Sequence, residues 1–267
     1  MRKRLRQSRL AVPGLLCLAV LALVATAGAV RDIEKVHLRV GDLLIEGYGG
    51  FKPEQLPKHH DAPIKIYGGG KVSTISGDLP AILDTIEFEF DKHGHVDTTG
   101  ISVCTAGKLQ ATTVPAARKN CPGAIVGKGF GTAIVAFPEQ ALIPVSSPIT
   151  AFNGPKKGGN DTILFHAYTT VPVATTFIVP VVIEKIKKGI YGYRVKAKIP
   201  KIAGGYGHPI SGRLTVDRKT RVKGKLHSYV NARCEIGRLQ ARGKFVFKDG
   251  TRLAGTFFRP CKAIPGT

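Results

Sequence analysis

Tryptophan is absent from the 267 residues. That disfavours a carbohydrate module built on indole stacking, although tyrosine can take that part. No Gly-x-Ser-x-Gly elbow, His-Glu-x-x-His pair or Walker loop occurs, so the common hydrolase and nucleotide-binding signatures are missing. Lys156-Lys157-Gly158-Gly159 resembles a phosphate loop in composition alone. The cysteines form no Cys-x-x-Cys and no histidine spacing accompanies them, which argues against a zinc site. The sequence therefore points to a protein that is not an enzyme and needs no cofactor. Acid is scarce too, and unevenly so. Residues 30–150 carry 12 Lys/Arg against 13 Asp/Glu, a net −1, whereas residues 151–267 carry 23 against 5, a net +18.

The first thirty residues have the pattern of an export signal. Arg2, Lys3, Arg4, Arg6 and Arg9 precede an apolar run from Leu10 to Val24, and Ala27-Gly28-Ala29 offers small residues before Val30. This reads as a signal peptide over 1–29. An uncleaved membrane anchor is the alternative, but the apolar run falls short of a comfortable span. Cys17, behind Leu15-Leu16 with more apolar sequence after it, does not fit a lipoprotein signal. The expectation is a secreted protein, extracellular or held at the cell envelope, with no transmembrane segment after cleavage. Cleavage leaves Cys104, Cys121, Cys234 and Cys261, and an even count in an exported chain reads as disulfides. Three pairings are possible; sequence proximity favours Cys104 with Cys121 and Cys234 with Cys261.

Hydrophobicity alternates at period two through most of the mature chain. Thr85-Ile86-Glu87-Phe88-Glu89-Phe90 puts Ile86, Phe88 and Phe90 on one face and the glutamates on the other, a half-buried strand. Asp91-Lys92-His93-Gly94 follows with hairpin-turn chemistry, Gly94 being available for positive φ. Further strands are legible over 36–46, 64–67, 125–137, 162–170, 176–185, 191–199, 213–217, 220–230, 243–247 and 252–258, punctuated by glycine-rich turns. Only Val114–Lys119 reads as helical. The segment Cys104–Ala111 (CTAGKLQA) echoes in Cys234–Ala241 (CEIGRLQA); either this marks two related domains or it is a chance local recurrence. With the repeat taken as real, the expected fold class is all-β, two related β-sandwich-like domains over 30–150 and 151–267, each with one disulfide. The boundary then lies near Pro148–Asp161, where Asn153–Asn160 (NGPKKGGN) reads as a linker or long hairpin loop.

Strand alternation also says where the positive charge sits. Arg194, Lys196 and Lys198 share one face; Arg221, Lys223 and Lys225 share another; Arg242 and Lys244 a third; and Lys185, Lys187 and Lys188 lead into a turn. Such faces attract polyanions. The plainer alternative, cations that only solubilise a surface, predicts interspersed acids, which are nearly missing here. The candidate partners are an anionic wall polymer, acidic polysaccharide, lipid headgroups or extracellular nucleic acid. For a metal, the candidates are Asp91, His93, His95 and Asp97, ligand types that alternate along a strand; a solvated turn at Gly94 breaks that alternation and is the favoured reading.

Through Cys104–Ala111, Phe137-Pro138-Glu139-Gln140, Phe152–Gly159 (FNGPKKGG) and Ile199–Gly207 (IPKIAGGYG), the chain resembles a multi-copy group of secreted, β-rich actinobacterial proteins without an assigned activity. The resemblance spans most of the mature chain and implies export and fold; it brings no catalytic or binding residues. Three functions stay open: a non-enzymatic extracellular binding or structural protein whose C-terminal half engages anionic polymers or surfaces, a metal-dependent extracellular hydrolase using the His93/His95 region, and a self-assembling surface subunit.

Overall fold

The computed structural model describes residues 35–266, so the expected leader, Cys17 included, lies outside the described residues. Of these, 61% are strand and 8% helix, and the chain is therefore mostly β. The strands in order are β1 (Val36–Val40), β2 (Leu43–Lys52), β3 (Gln55–Leu56), β4 (Ala62–Pro63), β5 (Lys65–Thr74), β6 (Leu83–Asp91) and β7 (Gly94–Val96). The helices α1 (Ala106–Leu109) and α2 (Val114–Asn120) follow, then β8 (Ile125–Val135), β9 (Ile143–Lys157), β10 (Asn160–Thr169), β11 (Thr175–Lys188), β12 (Tyr191–Lys198) and β13 (Gly207–Val216). The chain ends with β14 (Lys219–Val222), β15 (Lys225–Ser228), β16 (Val230–Ala232), β17 (Arg238–Phe247), β18 (Arg252–Pro260) and β19 (Lys262–Ala263).

Twelve strands form one antiparallel sheet in the order β1-β2-β5-β13-β8-β9-β10-β11-β12-β6-β17-β18. The sheet curls until its two edges meet, and is nearly barrel-like. At the seam Phe257 of β18 packs over Gly47 of β2, and Leu38 of β1 packs over Gly255 of β18. A Cβ at Gly255 would stand 2.6 Å from a Leu38 methyl, so glycine is what lets the edges approach. The Arg259 side chain also donates to the Gly49 carbonyl across the seam. Register then fixes the two faces. The inner face carries Ile45 opposite Val72, Phe51 opposite Ile66, Ala151 opposite Phe165 and Ile86 opposite Phe245. Buried Tyr229 and Ile101 pack into this core beside Val126, Ile163 and Ile183. Each such fully buried apolar side chain contributes about 1.5–3 kcal/mol.

The two halves of the chain are not two sheets. β13 lies between β5 and β8, and β6 lies between β12 and β17, so strands of 30–150 and 151–267 interleave, and all the described residues fall in one compact unit. In place of the expected pair of sandwiches there is one curled sheet. The expected boundary is occupied by β9, at fifteen residues the longest strand, whose Ala151, Phe152 and Asn153 are buried. Its turn into β10 is Gly158-Gly159, both at positive φ (56° and 78°), the conformation a tight two-residue hairpin needs. The echo at the cysteines also separates into two conformations: the first copy is the short helix α1, whereas the second runs from a turn into β17.

Both disulfides pair as proximity favours, Cys104 with Cys121 and Cys234 with Cys261. The first ties α1 to α2 on the outer face, where Leu109 and Ala117 cover Phe152 and Leu164. Helix α2 begins where the sequence reads a helix. Thr113 caps it by accepting from the Ala116 amide, with proline in the first turn, as N-termini favour.

Candidate functional site

The four alternating ligand-type residues do not converge. The chain leaves the main sheet at Asp91, and β7 pairs with β16 rather than folding back on β6. Gly94 is not among the positive-φ residues; the turn falls at Lys92-His93, ahead of Gly94, and does not close a hairpin. Asp91 and His93 are buried together, with His93 Nδ1 2.7 Å from Asp91 Oδ1 and Nε2 2.9 Å from Glu235 Oε2. Arg233 continues this network from Glu235 to Asp61 at 3.1 Å. The Glu235 carboxyl is held below the ordinary glutamate range, first by the adjacent His93 and then by Arg233. Asp97 instead accepts from His227 Nδ1 at 2.9 Å, and His95 points to solvent. Among the described residues no group of three or more His, Cys, Asp or Glu side chains is arranged to hold a metal ion. The network braces the chain around Cys234.

The expected anion-binding residues divide between a face and an end of the sheet. Arg194, Lys196 and Lys198 of β12, with Arg242 and Lys244 of β17, lie on the outer face. Acidic β6 runs between these two basic strands: Arg194 faces Glu89, which faces Arg242, and Lys196 faces Glu87, which faces Lys244. Glu89 is fully buried beneath the cations; its Oε1 lies 3.3 Å from Arg194 and 3.5 Å from both Lys188 and Lys244. Burial by itself would raise its pKa, but Arg194, Lys244 and Lys188 together hold it below the usual range. Glu87 takes Lys244 at 2.6 Å, and Lys198 lies 3.9 Å from Asp84. Part of the predicted basic face is thus neutralised within the sheet.

The end of the sheet is different. Lys185, Lys187 and Lys188 lie at the turn from β11 to β12, and the neighbouring β9–β10 turn carries Lys156 and Lys157. Arg221, Lys223 and Lys225 lie on the β14–β15 hairpin, which follows β13 at the same end and is tied to the 97–100 loop by Thr220 Oγ1 donating to the Thr99 carbonyl. All eight are exposed. Lys188 reaches Glu89, and Lys156 lies 3.5 Å from Asp161; the other six have no carboxylate within 4.0 Å among the described residues.

A third cationic group is invisible in the half-by-half charge count. On the outer face of β2, β5, β13 and β8, one row of the register reads Tyr48, Gly69, Arg213, Phe130; the next reads Gly50, Tyr67, Thr215, Lys128. Lys65 and Lys71 flank these rows on β5. The Arg213 guanidinium stacks over the Phe130 ring, 5.5 Å from its centroid. Two adjoining open depressions, of about 250 and 460 Å³, lie on this face and share Tyr48 and Arg213. The period-two glycines of Gly47-Tyr48-Gly49-Gly50 and Gly68-Gly69-Gly70 are the signal that could have located it.

Comparison with protein-family models, curated proteins and solved structures finds no match to this chain, so its function has to be argued from its own residues. Among the described residues no helix is long and apolar enough to cross a membrane.

Proposed function

We propose that this is an exported, non-enzymatic protein that binds anionic polymers through the cationic end of its sheet. The observation that carries this is the set of six exposed cations there, Lys157, Lys185, Lys187, Arg221, Lys223 and Lys225, with no carboxylate within 4.0 Å among the described residues. Cations that serve only solubility gain from being interspersed with acids; of the cations at this end, Asp161 and Glu89 engage only Lys156 and Lys188, while Glu87 and Asp84 face cations of the outer face. Two disulfides support an oxidising compartment, as does the leader pattern over 1–29. Hairpin tips suit such a role. Their side chains are extended into solvent on a rigid frame, and a flexible polymer can bridge several at once. The test is binding of the full mature chain to a heparin-like polyanion across a salt series. Tight binding at low salt with a steep salt dependence is expected, and absence of binding at low salt would refute it.

A further inference from the structure

The outer face of β2, β5, β13 and β8 is built differently from the cationic end. Tyr48 lies directly opposite Gly69, and Tyr67 opposite Gly50. The Tyr48 hydroxyl and Cζ come 2.8 and 2.9 Å from where a Gly69 Cβ would stand; for Tyr67 over Gly50 the distances are 2.7 and 3.0 Å. Each phenol ring is therefore laid across the sheet onto the glycine opposite it, an arrangement in which an aromatic covers a strand glycine. Both tyrosines are partly exposed on this outer face. Around them stand Lys65, Lys71, Lys128 and Arg213, all exposed. Among the described residues the one acid of the face is Glu46, which has His37 at 3.5 Å. The surface is open and shallow rather than a closed pocket, which suits a chain lying across it.

We propose that this face binds single-stranded nucleic acid, the tyrosine rings stacking on bases while the surrounding cations neutralise phosphates. A polymer that carries a flat ring and a charge in every repeat is complementary to both features at once. A polyanion without rings uses only the cations. Open aromatic platforms in a positive setting bind single strands with little sequence preference, because every base offers a π-face. Its residues are distinct from those of the cationic end, so substitutions can address either set alone.

The experiment uses the mature chain and three probes: a fluorescent twelve-nucleotide oligothymidylate, inorganic polyphosphate of similar charge, and polygalacturonate. The variants are the double substitutions Tyr48→Ser/Tyr67→Ser and Tyr48→Phe/Tyr67→Phe, with thermal unfolding confirming that each folds. The expected result is tighter binding of oligothymidylate than of polyphosphate, weakened about tenfold or more by the serine pair. The phenylalanine pair retains it, and polyphosphate binding is unchanged throughout. Gly50→Ala offers a second route, since the added methyl first meets the tip of the Tyr67 side chain and then the Arg259 guanidinium; it should displace the Tyr67 ring and weaken oligothymidylate selectively. Equal affinity for oligothymidylate and polyphosphate with no effect of the serine pair would overturn the proposal while leaving the cationic end intact. Tyrosine-dependent binding of polygalacturonate in preference to oligothymidylate would also overturn it, assigning the face to an acidic sugar polymer.

Discussion

Replacing Glu89 by glutamine should weaken the fold and, in the same stroke, make its outer face more basic. The carboxylate is fully buried on the outer face of β6, between Arg194 of β12 and Arg242 of β17. Its Oε1 is shared by Arg194, Lys188 and Lys244 within 3.5 Å. Hydrogen bonds to a charged group are worth about 1.5–3 kcal/mol. Glu87 remains to hold Arg194 and Lys244 in the variant, so the loss should fall in the lower part of that range, about 1.5–2 kcal/mol. The pH dependence separates charge from shape. Because the folded-state pKa of Glu89 lies below its unfolded value, the unfolded chain takes up the proton first on acidification. The stabilisation is therefore present above the unfolded value, about 4.3, and is lost as pH falls through the lower folded value. Urea unfolding at pH 7 should show the variant less stable by the amount above, and the gap should close as the pH falls well below 4. An equal gap at both pH values would show that the loss is one of packing and refute the electrostatic reasoning.

Two further outcomes follow from single sites. His166 is fully buried, its Nε2 3.1 Å from the Thr112 carbonyl, and burial, with Arg118 nearby, holds its pKa below the ordinary histidine value. The unfolded chain binds the proton more readily, so stability should drop as pH falls below about 6.5, and His166→Gln should flatten that slope in urea midpoints measured at pH 7.5 and 5.5. Glycine substitutions should divide sharply by site. A Cβ at Gly129 collides with the Arg213 carbonyl oxygen of β13, so Gly129→Ala should cost several kcal/mol or prevent folding; Gly107 in α1 has open space around it, and Gly107→Ala should raise the melting temperature, worth about 0.5–1 kcal/mol.

What the sequence reveals here is local, and what it conceals is long-range. Period-two alternation found most strands of the sheet, and the helical reading of Val114–Lys119 matches α2. β9 escaped because Pro144, Pro148 and the Asn153–Asn160 glycines look like a linker; the first two prolines in fact sit on the outer face of a paired strand, opposite Ile134 and Phe130. The interleaving of the two halves left no local trace, since pairing partners such as β6 and β17 lie some 150 residues apart, and nothing in either strand names the other. That pairing also explains why counting charge by halves misled in two directions. It credited β12 and β17 with free cations that β6 neutralises, and it hid Lys65, Lys71 and Lys128 in a half whose net charge is near zero. Only the register brings those lysines beside Arg213 and the two tyrosines.

The most direct measurement of the central claim is the salt dependence of heparin-like polyanion binding by the mature chain. It should be compared with a variant carrying Lys185→Gln, Lys187→Gln, Lys223→Gln and Lys225→Gln. All four side chains are exposed and without carboxylate partners among the described residues, so the fold should tolerate their loss within about 0.5 kcal/mol each. The expected result is a linear fall of log K with log salt for the parent, and a variant slope shallower by about 0.7–0.9 for each contact removed, close to 3 in total. An unchanged slope and affinity in the variant, or no binding by the parent at low salt, would contradict it.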